Sequence, residues 1–292
     1  METTKKNIAL VPIDFSDVAQ NALDHAISIA KIFDNEIALL HIVDLGSIFA
    51  SMFTNEDNIR LIEEALENRM GKLKQQIWDE HKIECRIVMK QSRSVYKTIV
   101  ETADELGCDS IVMGTYGAEG IKQIIGSNSS RVISHADVPV IVVKEKRFGD
   151  GYQNIVFPVD LSFETRQKVR WAIHLAKKFN STIHIISFKE SDEFLQHKIH
   201  ANISKVEEQF NEVGVKYTSF FLEDSSGFAK ETIAYAEKIN ADLIMIMTQQ
   251  EEGFSEFIIG SYAQQIVNHS PIPVMTVTPT TKGIVEVVRA LG

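Results

Sequence analysis

Cysteine is scarce in this chain, which has only Cys85 and Cys108. One pair cannot form the disulfide framework of a small secreted domain, and both residues stand in or beside apolar runs, so they read as small core residues. Positive charge is also in deficit, with 30 Lys and Arg against 40 Asp and Glu and a net charge of −10. That balance excludes a general nucleic-acid binder, whose affinity comes from cations placed on phosphates, but it leaves room for a local anion site. No run reaches the ~18 apolar residues of a membrane span, and the opening METTKKNIAL carries no apolar signal core. These lacks lead to the expectation of a soluble protein of the reducing cytoplasm, with neither membrane nor nucleic acid as partner. Metal ligands are sparse as well. His197 and His200 have helical i, i+3 spacing, but no carboxylate or cysteine completes a set, so they read as a solvated helix face.

What the chain does have is repetition. At 292 residues it is long enough for two domains. IALVPIDFSDVAQNALDHAISIAKIFDNEIALLHIV (8–43) returns as IVFPVDLSFETRQKVRWAIHLAKKFNSTIHIISF (155–188), with Asp14 falling on Asp160. DSIVMGTYGAEGIKQIIGSNSSRVISHADVPVIVV (109–143) returns as DLIMIMTQQEEGFSEFIIGSYAQQIVNHSPIPVMTV (242–277), with Gly126 falling on Gly260. Two copies of one unit, 1–146 and 152–280, are joined through a polar stretch near KEKRFGDGY.

Within the first copy, short apolar β-branched runs predict strands at about 7–13, 36–43, 84–90, 109–113 and 138–143, each buried on both faces. Helices are predicted between them at about 17–33, 56–81, 94–106 and 127–136. Ala19, Ala22, Leu23, Ala26, Ile29 and Ala30 recur at helical spacing, and Ser16 or Asp17 is placed to cap that helix. Alternating strands and helices imply a parallel sheet covered on both sides, with ligands binding outside the carboxyl ends of the strands where the winding reverses.

Asp14 ends the first strand, and MGTYGAEGIKQIIGSNSS (113–130) follows the fourth. Glycines let backbone approach a ligand closely, and a helix beginning near Gly126 offers unpaired N–H groups and a positive dipole end. Ser127, Asn128, Ser129 and Ser130 add side-chain donors, while Asp14 is placed to accept from a ribose hydroxyl. The spacing is not that of a P-loop, since no lysine follows the glycine and serine. Local spacing alone is equally consistent with an ordinary strand-to-helix loop whose glycines only make the turn.

VPIDFSDVAQNAL, LLHIVD, and MGTYG followed by GSNSSRVISHADVPVIVV resemble the universal stress protein (UspA-like) family in its tandem, two-domain form, over nearly the whole chain. The resemblance implies two Rossmann-like α/β domains of the HUP type, each a five-stranded parallel sheet of order 3-2-1-4-5 flanked by helices. It also implies ATP or a related adenine nucleotide in the first copy. The family's phosphate pattern, written G, two residues, G, nine residues, G, then Ser or Thr, falls on Gly114, Gly117, Gly126 and Ser127, with Asn128 and Ser129 continuing it and Met113 beneath. Asp14 matches the acidic ribose and adenine contact, with Pro12 and Ile13 beside it, and Ile42 matches an apolar residue against the adenine. One departure is that only eight residues, AEGIKQII, separate Gly117 from Gly126, which either shifts the cradle or is absorbed at Gly120.

Counting back from Gly260 places Thr248 on Gly114 and Glu251 on Gly117, with Glu252 beside it. On that count the second copy has exchanged its glycines for carboxylates, and at most one nucleotide binds per chain. Apart from Asp14 no general base is evident, and only Lys122 and Arg131 bring charge, so a nucleotide-responsive stress module with little or no hydrolysis is expected. The competing expectation is a nucleotide-independent scaffold acting through protein contacts. An adenylyl-transfer enzyme of the HUP group would need an HxGH or KMSKS type of motif, which the chain lacks. No protein cluster for Mg²⁺ or Mn²⁺ is visible, so either ion would be held mainly by the nucleotide.

The final strands VPVIVV and IPVMTV are apolar sheet edges, and by resemblance to family dimers they should pair the two copies about a pseudo-two-fold axis. A homodimer or an unidentified protein partner stays open. The two offsets differ by 12 residues, placing an insertion between the second and third strands of the first copy. It includes LGSIFASMFT (45–54), which reads either as the start of the long helix or as an apolar flap or contact surface.

Overall fold

The computed structural model describes residues 6–44, 56–115, 127–144, 149, 151–161, 167–223, 227–248 and 260–279. The segment 45–54, Gly117, Gly126 and the stretch 249–259 lie outside the described residues.

In the first copy the elements run β1 (Ile8–Pro12), α1 (Asp17–Phe33), β2 (Glu36–Asp44), α2 (Glu56–His81), β3 (Cys85–Ser92), α3 (Val95–Leu106), β4 (Ser110–Gly114), α4 (Ser127–His135) and β5 (Val140–Val143). The second copy repeats them as β6 (Asn154–Pro158), α5 (Val169–Phe179), β7 (Thr182–Phe188), α6 (Glu193–Glu212), β8 (Lys216–Leu222), α7 (Phe228–Lys238), β9 (Leu243–Met247), α8 (Ser261–His269) and β10 (Val274–Val277).

The strands form one ten-stranded sheet of order β3-β2-β1-β4-β5-β10-β9-β6-β7-β8. Each half has the expected 3-2-1-4-5 arrangement, and every pairing is parallel except the central one. There β5 and β10 run antiparallel, with Met275 opposite Ile141. The apolar edges therefore cover each other, as their lack of polar residues requires.

Alternation along the strands divides the core into two layers. Val11 packs with α1, α2, α5 and α6 on one face, and Leu10 packs with α3, α4, α7 and α8 on the other. Both layers run through the two copies without a break. Ser16 caps α1 by accepting from the Ala19 N–H, and Asp34 closes it in the left-handed conformation at φ 55°. Asn180, 146 residues on, closes α5 in the same way.

Side chains also cross the seam. Lys144 Nζ donates to the Asn268 carbonyl in the last turn of α8 at 2.6 Å, and Thr278 Oγ1 donates to the Ile133 carbonyl in α4 at 3.4 Å. On the opposite face His25 is hydrogen-bonded to the Tyr152 hydroxyl, while Phe33 meets Phe179 with ring centroids 5.8 Å apart. No described helix is long and apolar enough to cross a membrane.

The strand registers correct one part of the repeat alignment. Thr115 N–H donates to Val143 O, and Thr248 N–H donates to Val277 O, so Thr248 corresponds to Thr115 and not to Gly114. Met247 takes the Gly114 position, opposite Val277 as Gly114 is opposite Val143. Counting on, Gln250, not Glu251, is in line with Gly117, and nine residues (251–259) precede Gly260. The first copy is therefore the one that is short by a residue in this loop. Because that loop differs in length, counting backward across it from Gly260 shifts the whole strand by one. The surplus of the first copy between β2 and α3 is correspondingly 13 residues, the difference between offsets of 146 at Asp14 and 133 at Thr115.

Candidate functional site

β1 lies between β2 and β4, so its neighbours are reached by crossovers in opposite directions and a crevice opens beyond its carboxyl end. Pro12, Ile13 and Asp14 leave β1 there, Ile42 leaves β2, and Met113 and Gly114 end β4. Ile13 and Met113 are buried, Pro12 and Ile42 are half-buried, and Asp14 is exposed. The Asp14 carboxylate accepts from Ser16 N–H at 2.9 Å and from Ser16 Oγ at 2.6 Å, both at Oδ1. This turn holds Phe15 at φ 64°, a left-handed conformation that costs a non-glycine residue about 1–2 kcal/mol. The Arg69 guanidinium lies 3.9 Å above the Phe15 ring, and His41 packs on it at 5.1 Å. His41 also bonds the Ile13 carbonyl through Nδ1 at 2.6 Å, which gives this histidine a structural task.

On the other side of the crevice α4 begins at Ser127. Ser127 and Asn128 are exposed, and Ser129 is buried. Thr115, the residue after Gly114, buries a hydroxyl that has no hydrogen-bond partner among the described residues. A buried hydroxyl of this kind costs about 1–3 kcal/mol unless something bonds it. Arg131 is stacked over Tyr96 at 5.0 Å, and His135 lies against the same ring. Sequence reasoning missed Thr115, Arg69 and Phe15. A polar residue immediately after a buried strand was the available signal for Thr115, whereas the Arg69 contact depends on tertiary packing.

Gly114 has a packing reason that sequence alone did not reveal. A Cβ at this position would lie 2.6 Å from the Val18 carbonyl oxygen and 2.7 Å from Val18 Cγ1, because the first turn of α1 crosses β4 directly above it. Gly117 and Gly126, the other two glycines of the pattern, lie outside the described residues.

The second copy shows what surrounds the equivalent crevice. A cavity there is lined by Pro158, Asp160, Lys168, Phe228, Met247, Tyr262 and Ala263 and encloses about 10 Å³. By the registers above, Pro158, Asp160, Met247, Tyr262 and Ala263 correspond to Pro12, Asp14, Gly114, Asn128 and Ser129. Five of the residues singled out from the first copy's sequence, Pro12, Asp14, Gly114, Asn128 and Ser129, thus have counterparts that line one cavity in the second copy. His197 and His200 are exposed on α6, beside Glu193 and the Phe221 ring respectively. Cys85 and Cys108 are buried, and burial pushes the Cys85 thiol up to about 11.

A doubly wound sheet, duplicated and joined edge to edge with a crevice at each switch point, defines a tandem Rossmann-like α/β protein. The universal stress protein family model matches residues 7–144 and again 151–278, and the chain belongs to that family. Universal stress protein MJ0531 of Methanocaldococcus jannaschii is 36% identical over 143 residues, covering 47% of this chain and 82% of that protein. MJ0577 of the same organism is 33% identical over 156 residues, covering 47% and 94%. Among solved structures, a universal stress protein from Archaeoglobus fulgidus DSM 4304 has the same fold over 94% of this chain and 99% of its own, with a TM-score of 0.76 and 22% identity.

Proposed function

We propose that the first copy binds ATP or a related adenine nucleotide at the carboxyl ends of β1, β2 and β4, and that the chain is a nucleotide-responsive stress module with little or no hydrolysis. The observation that carries this reading is the juxtaposition, at one switch point, of the exposed Asp14 carboxylate, the buried Thr115 hydroxyl and the amino terminus of α4. Asp14 receives Ser16 at Oδ1 and keeps Oδ2 for a ribose hydroxyl. Ile42 supplies apolar surface for the base, with Pro12 and Ile13 beside Asp14, and Met113 ends the strand beneath the phosphates. The phosphates lie along Gly114, Gly117, Gly126, Ser127, Asn128 and Ser129, where N–H groups and hydroxyls meet negative charge with a favourable helix dipole.

These side chains bind and orient; none of them is set up to activate water. Asp14 is committed to the sugar, and the nearby Arg131 is stacked on Tyr96. Mg²⁺ or Mn²⁺ would be carried by the phosphates themselves. Cytoplasmic location and domain limits of 1–146 and 152–280 belong to the same reading. The alternative, a nucleotide-independent scaffold, draws support from the packing reason for Gly114. Calorimetric titration of the full chain with ATP decides between them. The expected result is a stoichiometry near one, with Asp14→Ala weakening ATP far more than inorganic triphosphate. No heat of binding, and no nucleotide copurifying with the protein, would select the scaffold.

A further inference from the structure

Lys168 is unusual for a lysine near the start of a helix, because only 2% of its surface is exposed. Its place in the repeat explains the burial. It stands 146 residues after Ala22, which faces the core from α1. The lysine side chain donates through Nζ to the Pro158 carbonyl at the end of β6 and lies over the Phe157 ring at 4.5 Å. Burial pushes its ammonium down to about 7, against an opposing pull from the Asp160 charge. Phe228 and Tyr262 stack on each other over the same cavity, with ring centroids 5.0 Å apart and planes at 16°, and the Tyr262 hydroxyl is bonded to Thr232 Oγ1 at 3.1 Å.

Four positions around the crevice change in the same direction. Ala22, Val95, Gly114 and Asn128 of the first copy become Lys168, Phe228, Met247 and Tyr262 in the second, each larger than its counterpart. Chance drift at a disused site would not bring a cation to a strand-end carbonyl beside the very carboxylate that the first copy leaves exposed. We propose that the second copy is filled by the chain itself, with Lys168 as an internal ligand anchored at the Pro158 carbonyl, lining one cavity with Asp160 and enclosed by Phe228, Met247 and Tyr262. Among the described residues the cavity between these side chains is about 10 Å³, room for about one water. The chain then pairs one responsive unit with one permanently filled replica, which sets the stoichiometry at one nucleotide per chain without invoking Glu251 or Glu252. This inference rests on the reading of Asp14 and its neighbours as a ligand site.

The test is chemical rescue in the full chain. Lys168→Ala restores the residue found at the counterpart position and deletes the equivalent of n-propylamine. The expected result is a lower melting temperature for Lys168→Ala, largely recovered by millimolar n-propylammonium chloride and not by sodium chloride, with no such shift in the wild type. A variant as stable as the wild type, or one that n-propylammonium does not raise, would overturn the proposal. If the variant does not fold, wild-type acylation with acetic anhydride, read by peptide mass spectrometry, decides instead. Lys168 should react at least roughly tenfold more slowly than the exposed Lys177 and Lys178 on the same helix, since reaction requires local opening. Equal rates would refute it. Failure of wild-type ATP binding would remove the ligand reading of the first copy, whereas failure of these amine measurements would remove only Lys168's part.

Discussion

Acid should open this molecule first at the seam between its copies, through His25. The side chain is 1% exposed, hydrogen-bonded to the Tyr152 hydroxyl and packed on the Tyr152 ring at 5.5 Å. Burial pushes the imidazole from its ordinary 6.5 down to about 3. The folded chain therefore holds His25 neutral, while the unfolded chain takes up a proton as the pH falls below 6.5. Between pH 6.5 and 3 the unfolded state binds one more proton at this site, so the contribution is complete above 6.5 and is lost progressively on acidification. The slope is about 1.4 kcal/mol per pH unit, which makes a loss of about 2.7 kcal/mol at pH 4.5.

Carboxylates titrate over part of the same range, so the measurement is a comparison. Urea unfolding of the wild type and of His25→Gln, from pH 7 to 4.5, should give stability curves that diverge by about one proton, with the wild type the steeper. Parallel curves, or an imidazole resonance of His25 that titrates near 6.5, would refute the argument. Because Tyr152 follows the linker and packs on Phe179 at 5.0 Å, amide exchange in acid should rise first around residues 21–33 and 151–179.

Gly114→Ala should destabilise the fold by about 1–3 kcal/mol in denaturant unfolding, because its methyl group meets the rigid Val18 carbonyl as well as the Val18 side chain. An unchanged midpoint would mean that α1 is not seated on β4. Lys144→Met should cost about 1 kcal/mol by removing the bond to the Asn268 carbonyl and its complement to the α8 dipole. Thermal unfolding read at pH 7 and pH 10 checks it. Burial pushes the Lys144 ammonium from its ordinary 10.5 down to about 8, so between pH 8 and 10 the unfolded chain holds the extra proton and the difference between wild type and variant should widen at the higher pH.

The fold was legible because parallel strands are buried on both faces and leave unbroken apolar runs. The predicted helix 17–33 coincides with α1, and 56–81 with α2, since an apolar stripe over several turns tolerates uncertainty at any one residue. The pairing of β5 with β10 was legible too, because Val140–Val143 and Val274–Val277 offer no polar reason to remain at an open edge. Asp14, Ile42, Met113 and Ser127–Ser129 were legible as residues at or near the ends of β1, β2 and β4 and the start of α4.

What sequence reading missed depended on one-residue precision. Aligning Thr248 with Gly114 is harmless for strand prediction, but it inverts the comparison of the two sites by moving the exchange of glycine for methionine out of view. With the register set by Thr115 and Thr248, the two copies differ for a connected reason. In the first, α1 starts at Asp17 and its first turn lies on Gly114, the one residue that leaves room for it. In the second, Met247 occupies that place, and the described helix that corresponds to α1 is α5, from Val169 to Phe179. The residue just ahead of Val169 is Lys168, which a sequence pattern assigns to solvent because lysine at a helix end is ordinarily there. Its alignment with Ala22 was the signal that it faces inward. A long side chain in a core position can reach over the strand end and satisfy its ammonium at Pro158. The loss of the glycine and the gain of the lysine thus act on one crevice, and its proposed filling is their joint consequence.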